Sequence, residues 1–236
     1  MSSDMKALIV VTSHDQLGNT GRKTGFYFDE MAHPYWALVD VGLAVDIASI
    51  QGGAAPHDPG SLADDPGKRP PAVTRFLTAP AAMAKIRNTL PIADVDPDRY
   101  AVMFLPGGHG TMWDFPQSEA LAEAIGRAYE RGAVIGAVCH GPAGLVGARR
   151  ADGRPLVEGL RINSFTDAEE LAVGLAETVP FLLESRLREL GAKFESAPNF
   201  QPKVVRDGRL VTGQNPASVP LVARELLSAL EELRQR

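Results

Sequence analysis

An α/β fold, with a mostly parallel sheet covered by helices on both faces, is what this sequence predicts, and three observations predict it. Apolar runs recur at Lys6–Thr12, Ala101–Leu105 and Ala133–Val138, and Ala44–Ile50 reads as a further strand. Such runs mark strands buried on both faces rather than the alternating pattern of a half-exposed sheet. Helix-period segments lie between them, which is the alternation that parallel strands need for their crossovers. The third observation is the only cysteine in 236 residues, Cys139, at the junction of a strand and a helix start.

Each element has its own local reason. Lys6–Thr12 is the first strand, and a polar loop over 13–25 comes after it. A helix is expected from about Phe28 to Val41, bent or restarted at Pro34 and ended by Gly42. Ala44–Ile50 is the second strand. Gln51–Pro80 is rich in Gly, Pro and Asp and reads as an irregular surface insertion in an otherwise single domain spanning 1–236. A short helix over Ala81–Asn88 precedes the strand Ala101–Leu105 and the glycine-rich turn Leu105-Pro-Gly-Gly-His109. Ser118 is placed to cap a helix running to Arg131, with Glu119 in its first turn. After the Cys139 strand come a helix at Pro180–Leu190 and a hairpin of Lys203–Arg206 with Arg209–Thr212, turned by Asp207-Gly208. Asn215-Pro216 opens the last helix, where Val222, Leu226, Leu230 and Leu233 recur at helical spacing as a core-packing face.

Composition narrows the class of function. The chain is 44% hydrophobic and 22% charged, ordinary values for a soluble globular protein. A net charge of −5 gives no electrostatic reason to expect nucleic acid or an anionic membrane as a partner. No apolar stretch reaches membrane-spanning length, and the Met1-Ser-Ser-Asp start lacks a secretory pattern. A lone cysteine forms no internal disulfide, so a reducing cytoplasm is expected.

The chemistry gathers around Cys139. Small residues two before it (Ala137) and two after it (Gly141), between strand and helix, fit a nucleophile elbow. Such a turn lifts the sulfur out of the sheet and aims it, with the next backbone N–H groups, at one point. A lone buried cysteine acting as a small hydrophobe is the alternative. At a strained elbow the His140 ring can fold back to the sulfur, lowering the thiol pKa or shuttling its proton. His140 otherwise stands as a helix N-terminal histidine with no chemistry. Its backbone N–H is the first expected oxyanion donor. Gly107-Gly108-His109-Gly110 lacks the Lys-Ser/Thr of a phosphate loop, and it reads either as a plain turn or as a nest of N–H groups, with Gly108 as second donor. Glu30, flanked by aromatic residues, reads as a desolvated general acid/base or as a solvated helix-face residue. His14, His57 and His109 show no recognised ligand spacing, so no metal site is expected.

Three segments then carry a resemblance. Ala-Val-Cys139-His140-Gly-Pro, Leu-Pro-Gly-Gly108-His109-Gly-Thr-Met-Trp-Asp114 and Thr24-Gly25…Glu30…His33-Pro34 together resemble the ThiJ/PfpI superfamily, in particular its heat-shock-chaperone branch with glyoxalase III activity. Asn163-Ser-Phe-Thr-Asp167-Ala-Glu-Glu170 and Leu210-Val-Thr-Gly-Gln-Asn-Pro-Ala-Ser218 match the same branch, so most of the chain is covered. The resemblance implies a flavodoxin-like three-layer sandwich, usually dimeric, with Cys139 as nucleophile, His140 as neighbouring base and Glu30 as carboxyl in one pocket. It places the acid that orients the histidine at Glu170, with Glu169 beside it as the alternative.

Class I glutamine amidotransferases of the same superfamily need a His-x-Glu near the C-terminus, but all five histidines here (His14, His33, His57, His109, His140) lie at or before position 140. Glutaminase activity is therefore not expected. The first functional expectation is a cofactor-independent, glutathione-independent glyoxalase (D-lactate dehydratase), acting on a small-molecule dicarbonyl of the methylglyoxal type through a Cys139 hemithioacetal. The alternatives are a cysteine-dependent amidase, peptidase or deglycase, and a stress-response holdase for unfolded clients or a redox sensor.

Overall fold

In the computed structural model, which describes residues 5–235, the Met1-Ser-Ser-Asp start lies outside the described residues. The strands are β1 (Lys6–Val11), β2 (Ala44–Ser49), β3 (Leu90–Pro91), β4 (Tyr100–Leu105), β5 (Val134–Val138), β6 (Arg161–Ile162), β7 (Lys193–Phe194), β8 (Val204–Asp207) and β9 (Leu210–Gly213). Among the described residues, seven of them form one sheet in the order β3-β2-β1-β4-β5-β9-β8, while β6 and β7 pair apart from it. Every pairing in the large sheet is parallel except that of the edge hairpin β8–β9.

The continuous apolar runs are explained by what each strand face meets. Ala7, Ile9 and Val11 of β1, with Val102 and Phe104 of β4, pack into one core cluster. The residues between them, Leu8 and Val10 with Met103 and Leu105, pack into the other. Helices cover both sides. The first face takes α1 (Phe28–Asp40), α2 (Pro71–Leu77), α3 (Pro80–Arg87) and, later in the chain, Val219–Arg234. The second takes Glu119–Glu130 and Leu183–Glu189. With the short helices α4 (Thr111–Asp114) and α6 (Asp167–Ala172), these last three become α5 (Glu119–Glu130), α7 (Leu183–Glu189) and α8 (Val219–Arg234) in chain order. The result is the flavodoxin-like three-layer arrangement.

Local signals hold in most places. The Ser118 hydroxyl accepts from the Leu121 N–H and caps α5. Val222, Leu226 and Leu230 of α8 are buried, as their spacing requires. Three expectations need correction. Helix α1 runs unbroken through Pro34 rather than restarting there, because its buried Met31, Tyr35 and Leu38 anchor both halves to the core. The helix expected from Pro180 begins only at Leu183. Residues 51–80 contain two 3₁₀ turns, Pro59–Ser61 and Pro66–Lys68, and the helix α2, where an irregular stretch is expected throughout. Phe76 of α2 is fully buried, edge-on to Phe28 and Tyr35 of α1, so the end of that segment is part of the core. Among the described residues no helix is long and apolar enough to cross a membrane.

Candidate active site

The carboxyl ends of β1, β4, β5 and β9 open on one side of the sheet, where a parallel sheet gathers reactive groups. Cys139 comes directly after β5 with φ 58°, a left-handed conformation that a side-chain-bearing residue keeps only when its surroundings fix it. Its N–H donates to the Gly213 carbonyl at 2.9 Å, and its carbonyl accepts from the Phe165 N–H at 2.8 Å. The chain then turns so sharply that a Cβ on Gly141 would overlap the Leu105 carbonyl oxygen. Gly141–Leu145 is a 3₁₀ turn and not the α-helix start that the sequence suggests. Two glycines and a proline in five residues are poor helix formers, and the turn ends where they do.

The His140 ring folds back on the sulfur, with Nδ1 3.3 Å from Sγ. Its other nitrogen, Nε2, lies 2.6 Å from Oε2 of Glu170. A carboxylate only accepts, so Nε2 carries the hydrogen and the Nδ1 lone pair is left facing Cys139. Oε1 of the same carboxyl accepts from His109 Nε2 at 2.7 Å, and the two imidazoles lie 4.1 Å apart. Burial by itself would raise Glu170, but His140 and then His109 outweigh it and hold the carboxyl well below the usual carboxylate range. Burial, then His109, pushes His140 below the ordinary imidazole value, against the pull of Glu170. The open choice between neighbouring acids falls to Glu170. Glu169 instead accepts from the backbone N–H groups of Thr166 and Phe200 and from the side chains of Gln214 and Asn215.

Glu30 stands in the first turn of α1 and is completely buried. Its Oε2 accepts from the Gly107 N–H at 2.7 Å, and Oε1 has no hydrogen-bond partner. Burial pushes this carboxyl up to about 8, against the downward pull of the Gly107 N–H and of the Cys139 thiol. Burial likewise pushes the thiol well above its ordinary value, and Glu30 adds to that, while the His140 backbone N–H pulls the other way. Of the two roles the sequence leaves to the His140 ring, proton shuttling is the one its position supports, since Nδ1 is the atom in reach of the thiol.

Cys139 is 4% exposed yet lines a cavity of about 290 Å³ together with Gly108, His109, His140, Tyr27 and Phe165. Of the expected substrate or oxyanion residues, Gly108 and His109 line the cavity, while two groups among them already hold hydrogen bonds. The Gly107 N–H is already committed to Glu30, and the His109 ring is turned to Glu170. Gly108 holds φ 100° at the cavity, where any Cβ would strike the Gly25 carbonyl. Sequence reasoning missed Phe165, Leu175 and Phe200 as lining residues. Phe165 sits inside a motif that carries the family resemblance, but nothing in the sequence marks Phe200. A grouping that could hold a metal ion is His109, His140 and Glu170, whose donor atoms lie within 4.8 Å of one another. Here those atoms are joined by the two hydrogen bonds to the shared carboxyl.

The chain is similar to known proteins over nearly its whole length. The family model described as DJ-1/PfpI matches residues 25–229. The Saccharomyces cerevisiae protein named glutathione-independent glyoxalase HSP31 is 33% identical, over 96% of this chain and 98% of its own length. The structure of the Francisella tularensis Rapid Encystment Protein 24 kDa superposes with a TM-score of 0.91 at 36% identity, covering 96% of this chain and 99% of that one. Glyoxalase III from Candida albicans superposes with a TM-score of 0.87 at 28% identity, covering 97% and 98%.

Proposed function

The chain belongs to the DJ-1/PfpI family, and we propose that within it this protein is a glutathione-independent glyoxalase that converts methylglyoxal-type 2-oxoaldehydes to 2-hydroxy acids. One observation carries the reading. Cys139 and the His140 imidazole, tied to the Glu170 carboxylate, line one cavity, and the fully buried Glu30 carboxyl interacts with the same sulfur.

The steps balance without an outside oxidant. Cys139 Sγ bonds to the aldehyde carbon while its proton passes to His140 Nδ1, and the carbonyl π electrons move onto oxygen. The oxyanion rests on the backbone N–H groups of His140 and Gly108 and takes the proton back from His140, giving a hemithioacetal. The hydrogen of that carbon then leaves as a proton and its electron pair forms a C=C bond while the ketone π electrons move onto oxygen, which takes a proton to complete the enediol. The hydroxyl on the sulfur-bearing carbon next releases its proton as its C=O bond forms, and the C=C electrons take a proton at the neighbouring carbon. Glu30 suits this transfer, because a carboxyl titrating near neutral pH both accepts and donates. The aldehyde carbon is now at the oxidation level of a thioester and its neighbour is a carbinol. Water splits the thioester and restores the thiol. Glu170 keeps His140 in the working tautomer throughout, and His109 holds Glu170.

A cytoplasmic location suits a free-thiol nucleophile. From the family resemblance we also propose a homodimer and unfolded protein clients as partners. Incubating the protein with methylglyoxal and, separately, with amide and aminopeptidase substrates separates the two enzymatic readings. Lactate from the first and no cleavage of the others is expected. Cysteine-dependent cleavage without lactate would replace this proposal with the hydrolase.

A further inference from the structure

Among the described residues, two that are not glycine hold a positive φ, Cys139 at 58° and Phe200 at 62°, and both line the same cavity. Cys139 is explained by the elbow. Phe200 has no such role in the chemistry, and a bulky aromatic residue adopts this conformation only where its surroundings over-determine it. They do so from several directions. The Phe200 N–H donates to the buried Glu169 carboxyl at 2.7 Å. On either side, Gln214 donates to the Ala197 carbonyl and Asn215 to the Gln201 carbonyl. This bracing does not serve to bury the ring, which is 46% exposed. The ring stands instead at the cavity, 6.4 Å from Phe165, whose own ring lies 4.6 Å from His140. Val173, 44% exposed, and Leu175 line the same cavity.

A strained residue whose ring is held against a cavity beside the nucleophile is built for a ligand. The cavity volume of about 290 Å³ lies near the lower end of the roughly 300–1,000 Å³ that takes drug-sized molecules. A three-carbon dicarbonyl leaves most of it, and most of this apolar lining, unused. Resting on the glyoxalase reading, we infer that Phe200, with Phe165, forms a specificity-determining wall that favours 2-oxoaldehydes bearing an aromatic or branched apolar substituent on the ketone carbon. Glu169 is the positioning residue that holds the wall.

The test compares kcat/KM for phenylglyoxal and methylglyoxal in wild type, Phe200→Gly and Phe200→Ala. Glycine adopts this φ freely, so Phe200→Gly removes the ring while relieving the backbone, and its Tm should exceed that of Phe200→Ala. Wild type is expected to favour phenylglyoxal by roughly tenfold or more. In Phe200→Gly the phenylglyoxal value falls more steeply than the methylglyoxal value, and most of the preference disappears. An unchanged ratio in folded Phe200→Gly overturns the inference. If neither dicarbonyl is turned over, the glyoxalase reading fails and the wall is judged by binding alone. Mandelate then binds Cys139→Ala protein more tightly than lactate, a difference lost when Phe200→Gly is added. Equal binding of the two acids overturns the wall as well.

Discussion

At the residue scale, the acid Glu170 does its work through hydrogen-bond direction rather than through contact with the sulfur. By accepting from His140 Nε2 at 2.6 Å it fixes the hydrogen on that nitrogen and leaves Nδ1 open toward Cys139. Glu170→Gln keeps the volume but admits the wrong tautomer, since its amide can donate to Nε2. A loss of about 10²–10⁴ in kcat for methylglyoxal is expected, with little change in KM. Steady-state kinetics on folded protein checks this. Glu30 offers a second test with a defined sign. Its carboxyl titrates at about 8 in the folded protein against an ordinary 4.5, so the folded state holds a proton that the unfolded chain has released. The associated stability is fully present below pH 4.5 and is lost as pH rises toward 8. Glu30→Gln removes this titration, so its urea midpoint should gain on wild type between pH 5 and pH 8 while turnover falls. A constant gap across that range contradicts the burial assigned to Glu30. Why the sequence left Glu169 and Glu170 open is plain at this scale. Adjacent residues on a helix face different ways, and nothing in the chain says which way α6 turns.

At the scale of elements, the elbow and the longer strands were legible because both are written in local chemistry, whereas the two-residue strands β3, β6 and β7 were not. Apolar runs mark doubly covered strands, and Gly141 marks a close backbone approach to Leu105. Gly141→Ala should destabilise the fold by roughly 1–3 kcal/mol, because the added methyl has only a carbonyl oxygen to displace. Leu226 on the buried face of α8 is a control of opposite kind. Leu226→Ala should cost about 2–5 kcal/mol in chemical denaturation, with kcat of the folded fraction unchanged. Loss of kcat there would mean that α8 does more than pack. Helix α2 escaped the sequence because a seven-residue element bounded by proline carries too little periodicity to read. Phe200 escaped for a different reason. Its conformation is set by Glu169, Gln214 and Asn215, contacts that no local pattern announces.

At the scale of the molecule, the parallel sheet is what makes the site possible. Glu30 comes from α1, Gly108 and His109 from the turn after β4, Cys139 and His140 from the end of β5, and Glu170 from α6. Segments up to 140 positions apart converge because parallel strands deliver their connecting loops to one edge (Glu30 and Glu170 mark the span). The layered, mostly parallel architecture and the place of Cys139 at a strand end could be read from the chain, but the strand order could not. The distances between Cys139, His140, Glu170 and Glu30 could not, since they depend on how helices on both faces seat against the sheet. The most direct test is kcat/KM for lactate formation from methylglyoxal, without glutathione, in wild type and Cys139→Ala. A fall of at least roughly 10³-fold in the variant is expected, since removal of a nucleophile takes the covalent route with it. Lactate formed by Cys139→Ala within tenfold of wild type would contradict the account.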